Sequence, residues 1–231
     1  MKINMLSLDD TVDVISWCLE ETEGTMPLRD DVLEMYPELA NSTDIKSSIK
    51  DRYNRFYEDN KHLVDEYTKV WNEYDNKVRL FFEKLFNIKL DKEITAYIAN
   101  IPVCPRNIEE LSFMFIPESK DFFIETSIHE ICHFYFFEVC KKIIPNWSYD
   151  MFDKPNLLWY LSEIMIDPLL KNNEFNYKFK CYDIFYNTYI NDKNIIDILT
   201  EIYNKNNIED TITLGLKFLE DNKIEFLNQV Q

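Results

Sequence analysis

Phe122-Phe123-Ile124-Glu125-Thr126-Ser127-Ile128-His129-Glu130-Ile131-Cys132-His133-Phe134-Tyr135-Phe136-Phe137-Glu138-Val139 is the stretch that decides how this chain is read. It is apolar on nearly every side, and a helix of that kind is buried. Within it, His129-Glu130-Ile131-Cys132-His133 spells HExxH. Residues four apart on a helix lie about 40° apart around the axis, so both imidazoles can reach one metal ion. The glutamate beside the first histidine then lies near the metal without ligating it, where a general base takes a proton from water. Two core histidines and a glutamate buried without partners would cost several kcal/mol, by the order of polar-group burial. A metal removes that cost, and zinc is the expected one. Cys132, inside the motif, reads as a small buried hydrophobe.

The flanks of this helix give the next level. Ser119 is placed to cap it, Asp121 lies in its first turn, and Pro145 marks its end. Upstream, Glu93–Ala99 (EITAYIA) and Ser112–Ile116 (SFMFI) have strand composition, closed by Pro102, Pro105 and Pro117. Downstream, Asp153-Lys154-Pro155-Asn156 opens a helix carrying LLWYLSEIMID, and further helices are expected over Asn194–Tyr203 and Asp210–Phe226.

Residues 1–90 read as a helical region. Ser7, Asp9 and Asp10 start a helix carrying Val12, Ile15 and Leu19, with Trp17 on its opposite side. Pro27 suits the first turn of a short helix, Leu28 to Met35, ended by Pro37. From Asp44 to Phe86 an aromatic stripe predicts one bent helix or two consecutive ones, with His62 at the surface. The expected class is α+β, predominantly helical, with a small antiparallel sheet in a catalytic region spanning 91–231.

Composition bounds what such a protein does. Hydrophobic residues make up 46% and charged residues 29%, as in a folded globular chain. Gly24 and Gly215 are the only glycines, and no Gly-rich phosphate or dinucleotide loop is present. A net charge of −17 disfavours nucleic acid and anionic membrane surfaces as partners. The start has no apolar signal segment, and the five cysteines are widely spaced without a CxxC pair. The expected compartment is the cytoplasm, with reduced thiols.

Zinc held by two histidines needs a third protein ligand. The metzincin continuation would place glycine at 136 and histidine at 139, where this chain has Phe136 and Val139. Peptide deformylases use an upstream cysteine, for which Cys104 could stand, but their glycine-rich motifs are missing. A glutamate from a later helix remains. Glu163 lies in LWYLSEIMIDPLL with Asp167 one turn on, and both carboxylates sit among apolar neighbours that demand a cation or strong donors.

HExxH followed by ExxxD on a second helix resembles the gluzincin metallopeptidases, the class of thermolysin. The resemblance covers His129, Glu130, His133, Glu163 and Asp167 and does not extend over the first ninety residues. It implies a zincin-like core, His129, His133 and Glu163 as zinc ligands, Glu130 as general base, and Asp167 as the carboxylate that orients His129. Pro168 biases Asp167 away from helical geometry. The resemblance also implies that the strand before the helix pairs with extended peptide or protein substrate, which points to Ser112, Phe113 and Met114. An oxyanion donor is expected from the C-terminal part, where Tyr182, Tyr186 and Tyr189 are the candidates. The alternatives are a zinc-binding regulatory or binding module, a hydrolase of another amide, and a metal-free helical interaction protein.

Overall fold

A computed structural model of the protein describes residues 1–20, 28–171, 173–175 and 177–230. Among them the chain is predominantly helical, with a four-stranded and a two-stranded sheet. It forms two compact units, Met1–Leu80 with Leu90–Glu130, and Phe81–Lys89 with Ile131–Gln231. No helix among the described residues is long and apolar enough to cross a membrane.

The first unit is built on the sheet. β1 (Lys2–Met5) lies parallel to β2 (Thr95–Ile98), β2 lies parallel to β4 (Ser112–Phe115), and β3 (Arg106–Asn107) runs antiparallel to β4 at the edge. The sheet is therefore mixed, a correction to the expected antiparallel one. Alternation in sequence marks a strand but carries no information on its direction. Direction is set by the connections, and the long helical excursion between β1 and β2 lets the chain re-enter the sheet from the same end. β1 itself, KINM with only Ile3 fully buried, is too short to stand out from the helical region that follows.

Among the described residues of that excursion are the α-helices α1 (Leu8–Glu20), α2 (Leu28–Met35), α3 (Ile45–Asn60) and α4 (Leu63–Phe86), with a 3-10 helix at Pro37–Asn41. The Ser7 hydroxyl accepts from the Asp10 amide at the start of α1, and Asp44 caps α3 by accepting from the Ser47 amide at 3.1 Å. Ile15 and Cys18 face the core while Trp17 is 49% exposed, as the helical spacing requires. α2 has the predicted bounds. Pro27 and Gly24 lie outside the described residues. The long aromatic stretch forms two helices, broken at Lys61 and His62, and His62 is exposed. Tyr67 on α4 stacks on Phe123 at 4.6 Å between ring centroids and meets Phe115 of β4 edge-on at 5.7 Å. This packing fixes the start of the next helix, α5 (Lys120–Ile143), against the sheet.

The second unit is assembled from helices. Phe82 and Phe86 of α4 lie against Tyr135 of α5 at 5.4 and 5.9 Å. α6 (Leu157–Ile164) starts at Asn156, whose side chain accepts from the Leu158 amide at 2.9 Å. The apolar run continues as α7 (Ile166–Leu170) after a break at Met165. Asp167 is helical, contrary to the expectation from Pro168. The proline sits in the first turn of α7, where its missing N–H is harmless, and the break falls three residues upstream of it. α8 (Asp183–Tyr186) precedes a hairpin, β5 (Tyr189–Ile190) and β6 (Lys193–Asn194). Its turn residues Asn191 and Asp192 both have positive φ, 50° and 64°, as a two-residue hairpin turn demands. α9 (Ile195–Lys205), α10 (Ile208–Asp221) and α11 (Lys223–Val230) complete the chain. The helix expected over Asp210–Phe226 is thus interrupted at Asn222.

Candidate metal centre

The helix that carries HExxH is made locally. The Ser119 hydroxyl accepts from the Phe122 amide at 3.1 Å, Asp121 lies at the positive end, and Lys141 and Lys142 lie at the negative end. Its side chains explain its burial. Ile128, Phe134 and Phe137 are fully enclosed, and His133 is enclosed with them.

His129 and His133 stand one turn apart on this helix, and Glu163 comes from the last turn of α6. The ligand atoms of these three residues all lie within 4.8 Å of one another. His133 Nε2 lies 3.4 Å from Glu163 Oε1, and the two side chains are 0% and 1% exposed. That separation is long for a charge-assisted hydrogen bond, which settles near 2.7–2.9 Å. It equals the spacing of about 3.4 Å between two ligands on a tetrahedral ion with bonds of about 2.0–2.1 Å. Two imidazoles and one carboxylate are a donor set suited to such an ion, and the half-buried His129 leaves one side less enclosed than His133 and Glu163 do. Among the described residues this is the group of His, Cys, Asp and Glu side chains that could hold a metal.

Glu130 is buried and faces a cation. Arg106 of β3 brings Nη1 to 3.3 Å from Glu130 Oε2, with the arginine side chain 14% exposed. In sequence Arg106 belongs to no motif and lies between the two expected strands. Its signal was faint: it is one of five arginines in the chain, and it stands directly after Pro105 in an otherwise uncharged stretch from Ile94 to Asn107.

Asp167 accepts a hydrogen bond from the Tyr186 hydroxyl. Burial, with this bond second, pushes the Tyr186 phenol above its ordinary range and keeps its proton in place. Cys181 joins the same cluster. Burial raises its thiol to about 11, the hydrogen bond with Tyr186 works against that rise, and the charges of Asp167 and Glu163 add to it. Of the tyrosines predicted as donors, Tyr186 is thus hydrogen-bonded to the aspartate of ExxxD. Tyr182 is 49% exposed, with its ring 6.2 Å from Trp159, and Tyr189 is 51% exposed on the hairpin. Lys154, in sequence only part of the segment that opens α6, holds its ammonium 4.7 Å over the Trp159 ring. Burial lowers its proton affinity, and the charge of Glu163 partly restores it.

Ser112, Phe113 and Met114 lie on β4, next to α5 in sequence. Their outer backbone edge is already occupied: Asn107 and Arg106 stand opposite Ser112 and Phe113, and the Met114 amide donates to the Pro105 carbonyl at 3.0 Å. A strand added to this sheet at that side meets β3 first.

Comparison with protein-family models, with curated proteins and with solved structures returns no match. The chemistry of the centre therefore rests on its own geometry.

Proposed function

We propose that the protein is a zinc-dependent hydrolase of peptide bonds, with His129, His133 and Glu163 as ligands and Glu130 as general base. The observation that carries the reading is the convergence of three ligand atoms within 4.8 Å, with Glu130 next to one of them in the chain. Zinc, when bound, supplies Lewis-acid polarisation of a carbonyl and lowers the pKa of a ligated water towards about 7. With the metal held there, the Glu130 carboxylate would accept a proton from the attacking water and return it to the leaving amine. Burial of His133 and Glu163 excludes solvent from that side of the centre. The backbone edge of β3 is the place for an extended substrate to pair, since β3 ends the sheet. Asp167 orients the imidazole of His129, and Tyr186 holds Asp167. On this reading the chain is similar in chemistry to the gluzincins.

One observation favours a second reading, a zinc-binding module without peptidase activity. The carboxylate that would act as base is engaged by Arg106. A single set of samples separates the two. Protein purified without chelator and without a histidine tag should carry one zinc per chain and cleave members of a mixed peptide panel at neutral pH. Glu130→Gln should keep the zinc and lose cleavage by at least about a hundredfold, in line with general-base contributions. Glu163→Ala should lose zinc affinity and activity together. Absence of any bound or bindable divalent metal overturns the centre. Zinc without cleavage leaves the binding-module reading standing.

A further inference from the structure

Arg106 is placed where a ligand would meet it. It lies on β3, the last strand in the sheet order, and its guanidinium reaches across to Glu130 on α5 at 3.3 Å. The chain has 42 acidic against 25 basic side chains, and among the described residues most of them are exposed or half-buried. An arginine 14% exposed, paired with a glutamate 6% exposed, does not belong to that pattern. Withdrawing such a pair from water is expensive, and apolar residues of similar size often stabilise a fold as well or better. The Nη1–Oε2 contact is long: a charge-assisted N–H···O contact settles near 2.7–2.9 Å, so at 3.3 Å a carboxylate with a closer approach can compete with Glu130 for Nη1. Arginine suits the task because its planar donors match a carboxylate two atoms at a time. Exchange of one carboxylate for another leaves no buried cation uncompensated.

We propose that Arg106 is the carboxylate-recognition residue of this centre: a carboxylate on a peptide ligand takes the guanidinium and releases Glu130. The carboxylate is either the C-terminal one or an Asp or Glu side chain. The catalytic half of this inference rests on the metallopeptidase reading; the binding half does not. In the acidic surroundings of this protein Arg106 gives selectivity for an anion at one point of the ligand.

The test uses the full zinc-loaded chain and sets of matched peptides. One set ends in a free acid or an amide, and the other carries an internal Glu or Gln. Wild type should favour the anionic member of one set by at least about tenfold in kcat/KM and in dissociation constant measured by fluorescence anisotropy, and the set that responds identifies the source. Arg106→Gln should bring the anionic peptide down to the level of its neutral partner in both measurements, and Arg106→Lys should keep part of the preference. Equal binding of both members by wild type overturns the proposal, as does an unchanged preference in folded Arg106→Gln. If Arg106→Gln does not fold, wild type and Arg106→Lys still decide it: a wild-type preference that Arg106→Lys retains in full overturns it as well. If no peptide is cleaved at all, the peptidase reading falls while the anisotropy still decides the role of Arg106.

Discussion

Asp167 and Tyr186 show how much one contact decides at the scale of single residues. The aspartate was legible as the fourth residue after Glu163, but its partner was not. Nineteen positions separate it from Tyr186, and nothing in KCYDIFYNTYI distinguishes that tyrosine from its neighbours. The structure selects it through a hydrogen bond to the half-buried carboxylate. Tyr186→Phe removes the donor and should destabilise the protein by about 1–3 kcal/mol, the range for leaving a buried polar group without its partner, read from urea unfolding. Asp167→Asn addresses the centre itself. If this carboxylate orients His129, zinc affinity should fall by about 10–100-fold, the usual effect of losing a partner behind a ligand, and Tyr186→Phe should weaken it less. Wild-type affinity in Asp167→Asn would remove Asp167 from the centre.

Among the elements, α6 carries Glu163 and is positioned by what packs behind it. Gly215 on α10 is the contact point: a Cβ added there would lie 3.0 Å from Leu161 Cδ1 on α6 and 3.3 Å from Leu199 Cδ2 on α9. Glycine inside a helix is unfavourable by about 1 kcal/mol relative to alanine, so its presence reflects this close approach. Gly215→Val should destabilise by about 1–3 kcal/mol through overpacking, measured by chemical denaturation. On the proposed metal reading it should also weaken zinc binding, since Leu161 and Glu163 share one helix. An unchanged midpoint would mean that the neighbouring leucines rotate away freely. Several helix starts were legible where a polar cap precedes an apolar run, as at Ser7, Asp44, Ser119 and Asn156, whereas Asn207 caps α10 ahead of the expected start at Asp210. Helix ends were less so, because breaks at Met165 and Asn222 interrupt apolar patterns that continue across them.

For the molecule as a whole, acidity and burial set the pH range of stability. Tyr36 is 1% exposed and donates to the Asn100 carbonyl. Burial raises its phenol from 10.0 to about 12; Glu38 adds to the rise, while Arg52 and the Asn100 bond oppose it. The folded state therefore holds this proton more tightly than the unfolded chain does. The stabilisation is complete below about pH 10 and is lost as pH rises towards 12, by about 2–3 kcal/mol from the size of the shift. Tyr36→Phe should unfold at nearly constant denaturant concentration from pH 9 to 11, where wild type loses stability. Parallel curves for the two proteins would show that another group governs alkaline unfolding.

The sequence by itself determined the helical character of the chain and the pairing of His129 with His133. Both follow from periodicity, which is a local property of the backbone. It also singled out Glu163, because a carboxylate inside an apolar run has to be answered by a cation or a donor. Tertiary structure alone decided that β1 joins β2 in parallel across some ninety residues, and that β3 covers the edge of β4. It alone brought Arg106 to Glu130, and Tyr186 to Asp167. Those partnerships join side chains of unremarkable local pattern, and only the path of the backbone between them determines which donor meets which carboxylate.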